Sequence, residues 1–230
     1  MVELTFNTSK TNVPILSRKV LDEFGERIVA DFCPEAMQIP QAIDTDYFLE
    51  RHLRVTMDYK YLSRCGLYLG MTVFEDSAHI PVFNHEKFRA EYIQCTAGTI
   101  IIDNDLLDPN QEHRYRFTAM HEASHLLLHR QYFRAMAEQQ SDYTPLVQCR
   151  VDTACNGRRC GYKTDKDWIE WQANSLASAM LMPRCMVVKV VKEAERHRLS
   201  VNAGLEAVTD TFNVSNEAAA CRMQELGLRR

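Results

Sequence analysis

Five consecutive residues, His121-Glu122-Ala123-Ser124-His125, carry three side chains of different chemistry at a spacing that suits a metal-dependent hydrolase. In a helix, two histidines four positions apart project from the same face, so both imidazoles can bind one metal ion. Glu122 lies about 100° round the helix from His121. There its carboxylate can reach a metal-bound water without taking a coordination position. Zinc lowers the pKa of such a water to about 7, and a neighbouring carboxylate can accept the proton as the water attacks a carbonyl. The flanks place this motif indoors. Arg116-Phe117-Thr118-Ala119-Met120 precedes it and Leu126-Leu127-Leu128 follows. A helix that is apolar round most of its circumference belongs in a core. Histidines and a glutamate buried there are costly without a partner that uses their polarity, and a metal supplies one. The pattern predicts one long, largely interior helix from about Gln111 to Met136.

Two imidazoles leave a zinc site short of a third protein ligand. The extended pattern HExxHxxGxxH is excluded, because Leu128 and Gln131 occupy its glycine and third histidine positions. His129 lies one turn further along the same face. A single straight helix cannot wrap three such residues round one ion, so His129 is expected behind the ligands or in solvent. The missing ligand then comes from another helix, and Glu170 is the best candidate. It sits in Asp167-Trp168-Ile169-Glu170-Trp171-Gln172-Ala173-Asn174-Ser175-Leu176-Ala177, a run with Thr164 and Asp167 as a capping pair and Pro183 as its stop. Glu170, Ala173, Asn174 and Ala177 share one stripe. The small residues on it let the helix approach the metal helix, where Ala123 and Ser124 are also small. Asn174 could orient a ligand by hydrogen bonding. Asp167, Glu138 and Cys149 compete with Glu170 for the third position.

These residues resemble the ImmA/IrrE family of metallopeptidases. The resemblance rests on Arg116-Phe117-Thr118 leading into His121-Glu122-x-x-His125, then Glu170-x-x-Ala173-Asn174-x-Leu176-Ala177, then Leu181-Met182-Pro183. It implies a zincin-like α+β fold, in which a small mixed sheet packs on the HExxH helix and a second ligand-bearing helix, with a helical C-terminal tail. It also implies Zn2+ held by His121, His125 and Glu170, with Glu122 as the general base. Ser124 and Leu176 depart from the glycine and phenylalanine usual in the family. Many relatives carry a helix-turn-helix domain at the N-terminus, which this sequence does not show.

The elements that must position the site are legible in outline. Ile15 to Phe32 has helical apolar spacing. Pro34 to Pro40 is expected to be a loop, and Asp46 to His52 a short helix. Arg54–Met57, Gly70–Phe74, His79–Phe83 and Gly98–Ile102 are short apolar runs bounded by turn residues, and they are expected to be strands. By resemblance, Gly98–Ile102 is the edge strand that would pair with an extended substrate. The expected organisation is an N-terminal helix and linker over 1–39, a metallopeptidase domain over 40–190, and a helical tail over 191–230 packed on the same core.

Composition narrows the function classes. The 230 residues are 46% hydrophobic and 25% charged, which suffices for a sizeable core. A net charge of −4 gives no support to nucleic acid as the main ligand. The first residues lack the basic and apolar regions of a secretion signal, and no apolar run reaches membrane-spanning length. A cytoplasmic location is expected, with most of the eight cysteines as free thiols. The tail around Ser215 could imitate a helix-turn-helix, but Arg222 and Gln224 are its only suitable DNA-reading side chains, so packing on the core is preferred. Cys149, Cys155 and Cys160 with one histidine could hold a second, structural zinc, but their spacing is looser than CxxC and free thiols are the preferred reading. Tyr115, His129 and Tyr132 are candidate oxyanion stabilisers.

The resulting expectation is a zinc-dependent endopeptidase that cuts a protein substrate, by resemblance a helix-turn-helix repressor or similar regulator. The alternative is a metal-containing binding module that sequesters a regulator without cleaving it. Glu122 favours the enzyme, because metal binding alone does not need it.

Overall fold

The structure, a computed structural model, describes residues 4–139, 146–150, 164–197 and 200–228. Helix α1 (Arg18–Phe32) begins at Ser17, whose hydroxyl accepts from the Val20 N–H. This satisfies one of the amides left open at a helix start. The expected loop after it contains a 3-10 turn, Pro34–Met37. The next helical segment is α2 (Thr45–Tyr47), capped by Asp44 and continuing as π-helical Phe48–Leu53. Arg54 then takes a left-handed conformation (φ 57°), so the first strand starts later than expected.

The strands are β1 (Thr56–Lys60), β2 (Tyr68–Val73), β3 (Ser77–Asn84), β4 (Arg89–Cys95), β5 (Thr99–Asp103) and β6 (Leu146–Arg150). Among the described residues, four form a mixed sheet in the order β1-β5-β2-β6, with β1 and β5 parallel and the other pairs antiparallel. Strands β3 and β4 form a separate antiparallel hairpin. The segment Gly98–Ile102 is therefore not an edge, contrary to the expectation from family resemblance. Strand β5 is paired on both sides and buried at every position. Its Ile100 and Ile102 face the main core, while Ile101 packs with Met71, Val73 and Ile80 under the hairpin. An unbroken apolar run is what a strand covered on both faces requires.

The predicted helix from Gln111 to Met136 is two helices, α3 (Glu112–Leu128) and α4 (Arg130–Gln139). The break falls at His129 (φ −114°, ψ 5°), whose fully buried ring is held by hydrogen bonds to other side chains. Satisfying a buried polar ring outweighs continuing the helix. Helix α5 (Asp165–Leu181) starts with the expected reciprocal cap: Asp167 N–H donates to the Thr164 hydroxyl, and Thr164 N–H to the Asp167 carboxylate. It ends ahead of Pro183, after which α6 (Arg184–Arg196) begins. Helices α3 and α5 pack on each other, and their small residues Ala119, Ala123, Ala173 and Ala177 are all fully buried. Helix α1 lies against α5 so closely that a Cβ at Gly25 would stand 2.6 Å from the Ala179 Cβ. Only glycine fits there.

Helices α7 (Val201–Phe212) and α8 (Asn216–Glu225) are capped by Ser200 and Ser215. They contribute Val208, Phe212, Ala219 and Met223 to the main core. Arg222 is fully buried, with Nη1 2.7 Å from Asp22 Oδ1 of α1 and Nε donating to the Met182 carbonyl at 3.1 Å. It is a structural ion pair, so the tail loses the one arginine on which a DNA-reading role depended. Removing one partner of such a pair leaves a buried charge uncompensated. Arg222→Ala is expected to cost about 3–5 kcal/mol, read as a lower urea midpoint. The double variant Asp22→Asn, Arg222→Met is expected to recover most of that loss. Equal stability of Arg222→Ala and wild type would show that the pair does not hold the tail.

Candidate metal centre

Helix α3 presents His121 and His125 toward Glu170 of α5, and all three donor groups can share one ion. The two Nε2 atoms are 3.0 Å apart. Glu170 Oε2 is 3.4 Å from His121 Nε2, and Oε1 is 3.8 Å from His125 Nε2. Two donors of one zinc ion, each at about 2.1 Å, can stand at most about 4.2 Å apart, so the spacing fits. Among the described residues, both Glu170 oxygens are buried with no hydrogen-bond partner. The chemistry of this donor set calls for a positive centre: the Nε2 atoms face each other and a carboxylate that no other described residue satisfies.

The surroundings orient the imidazoles and shift their protonation in opposite directions. His121 Nδ1 lies 2.9 Å from Asn174 Oδ1, which directs the Nδ1 proton to the amide and Nε2 inward. Burial opposes a charge on His121. The nearby Glu170 carboxylate, with Glu122 and Asn174, outweighs it and raises the His121 pKa. Burial, then neighbouring His121 and His129, hold His125 well below the ordinary imidazole range. His129 is pushed down to about 3 by burial, against the opposing Gln172 hydrogen bond.

Glu122 is fully buried one position along from His121. The Thr72 hydroxyl of β2 lies 2.6 Å from its Oε2 and 3.1 Å from its carbonyl, so its single proton goes to the nearer and more basic carboxylate. Gly70, two residues before Thr72, leaves room for the same side chain. A Cβ there would come within 2.8 Å of Glu122 Cγ, Glu122 Oε1 and Thr118 Cγ2. Neither residue was singled out from the sequence as part of the site. The isolated glycine in an apolar strand was the available signal, since it marks close approach by another group.

Two of the three competing ligands are placed elsewhere. Asp167 caps α5, and Glu138 is exposed beside Arg134. Cys149 lies on β6, with its side chain outside the described residues, and Cys155 and Cys160 fall outside them altogether. Elsewhere Cys33, Cys65, Cys95 and Cys185 are free thiols, and Cys221 is disulfide-bonded. Of the oxyanion candidates, Tyr115 donates to Asp46 at 2.6 Å and lies 3.2 Å from the Tyr59 hydroxyl. Burial, followed by these contacts, raises its pKa. His129 is engaged at both nitrogens. Tyr132 makes no hydrogen bond among the described residues, and its ring packs edge-on to Phe133.

The family model for peptidase M78, described as an IrrE N-terminal-like domain, matches residues 68–224. This is more than half of the chain, and it includes α3, α5 and strands β2 to β6. A local similarity of another kind is to an NADH-quinone oxidoreductase subunit of Buchnera aphidicola subsp. Acyrthosiphon pisum (strain APS). The identity is 33% over 91 residues, 37% of this chain and 19% of that protein. The chain thus spans about a fifth of that curated relative, whose oxidoreductase description concerns that protein.

Proposed function

Because the chain belongs to the peptidase M78 family, whose domain is IrrE N-terminal-like, we propose that it is a zinc-dependent endopeptidase that cleaves a regulatory protein at one or a few sites. The observation that carries the reading is the His121–His125–Glu170 group, whose donor atoms are buried, with Glu122 held beside it. When bound, zinc supplies a Lewis acid and a water of lowered pKa. The chain's own part is to hold that ion with His121, His125 and Glu170, and to accept the water's proton at the Glu122 carboxylate. The nitrogen and oxygen donors suit zinc, and three protein ligands leave a coordination position open for chemistry.

The substrate proposed is an extended segment of a protein, and a helix-turn-helix repressor is the regulator that the family resemblance suggests. Backbone pairing with a sheet edge would select a linker or a locally unfolded stretch over folded chain. With β5 central, β6 becomes the proposed edge, since it flanks β2 and β2 carries the Gly70 and Thr72 that contact Glu122. A cytoplasmic location is part of the same proposal. Among the described residues no helix is long and apolar enough to cross a membrane.

The test is incubation of zinc-loaded protein with the repressor encoded by a neighbouring gene, with casein as control and mass spectrometry of the products. One or a few cuts in the repressor, with folded bystanders intact, are expected. Broad digestion of casein with the repressor untouched would reject regulatory proteolysis. Tight binding without cleavage would favour sequestration instead.

A further inference from the structure

We infer that Gln172 and His129 form a positioning relay, anchored on the Pro14 carbonyl, that fixes which nitrogen of His125 is free to bind metal. The inference rests on the metallopeptidase reading and concerns groups buried behind His125. It starts from an acceptor with no alternative role. The Pro14 carbonyl can only accept, and Gln172 Nε2 lies 2.6 Å from it, so the amide NH2 of Gln172 must point there. Gln172 Oε1 then faces His129 Nε2 at 3.0 Å and must accept, which places the His129 proton on Nε2. A neutral imidazole carries one proton, so His129 Nδ1 is bare. It lies 3.0 Å from His125 Nδ1 and accepts that atom's proton. His125 Nε2 is left bare and directed at Glu170 and His121. Each step leaves one arrangement, because His129 and Gln172 are buried at 0% and 1% exposure and water cannot substitute for a wrong proton.

The anchor is rigid for a separate reason. Val13, adjoining Pro14, packs with Phe74, Phe133 and Ile169 in a small apolar cluster. Pro14 also bridges to Thr8. Both residues precede the segment that matches the family model, which starts at residue 68. The N-terminal segment thus reaches the metal centre through three hydrogen bonds. It does for His125 what Asn174 does for His121.

Two measurements test the relay. Long-range 1H–15N correlation spectra distinguish a protonated ring nitrogen from a bare one. They are expected to show His129 protonated on Nε2 and His125 on Nδ1, in metal-free as well as zinc-loaded protein. Gln172→Leu keeps the volume but removes the acceptor. It is expected to mix the His129 tautomers and weaken zinc binding by about 10- to 100-fold in chelator competition. If that variant does not fold, the wild-type spectra still decide. A wild-type protein that takes up no zinc would overturn the parent reading. A zinc-binding protein with His129 protonated on Nδ1, or undiminished zinc affinity in Gln172→Leu, would overturn the relay alone.

Discussion

Glu122→Gln is expected to keep the fold and the bound zinc while slowing peptide cleavage by about a hundredfold to ten-thousandfold, the usual contribution of a positioned general base. The substitution is nearly isosteric, so the space left by Gly70 still accommodates the side chain. The Thr72 hydroxyl, 2.6 Å from Oε2, can donate equally to an amide oxygen. What disappears is the ability to accept a proton. Because Glu122 is not among the three proposed ligands, elemental analysis should find zinc unchanged while single-turnover cleavage of the identified substrate collapses. Wild-type turnover in this variant would exclude Glu122 as the base. Loss of zinc together with activity would place Glu122 in the metal's own ligand set.

His125→Ala and Glu170→Ala are expected to lose most of the zinc, and in both the thermal stabilisation by added zinc should vanish. Each truncation removes one of the three proposed protein donors. In His125→Ala it also leaves His129 Nδ1 facing a cavity instead of an N–H donor. Stabilisation by a ligand that binds only the folded state grows with its concentration relative to Kd. Titrating zinc against the melting temperature therefore reads affinity without any catalytic assay. A rise in wild type and a flat response in both variants is the expected result. Full zinc retention by elemental analysis in both variants would sink the ligand assignment.

The helix with two histidines, its interior setting and the capped second helix with Glu170 were legible in the sequence, because each depends on spacing within about one turn. Pairing between Thr164 and Asp167 is likewise local, and it forms as expected. The expected metal-helix continuity beyond His129 failed because a contact 43 residues away, with Gln172, competes with the helix for that side chain. The rank of β5 in the sheet has a different origin. The apolar run at Thr99–Ile102 is that of a strand covered on both faces, and β5 is central where the family resemblance implies an edge.

By itself the sequence determined which residues could bind a metal and which helices carry them, since both follow from side-chain chemistry and a 3.6-residue repeat. Only the tertiary structure decided what surrounds them. The Thr72 and Gly70 contacts to Glu122, the Arg222–Asp22 pair and the Pro14–Gln172–His129 chain join residues 40 to 200 positions apart. No local propensity encodes such contacts. They arise when burial removes water, and each polar group left inside must find its partner among whatever residues the packing of α1, α3, α5 and the sheet has brought within reach.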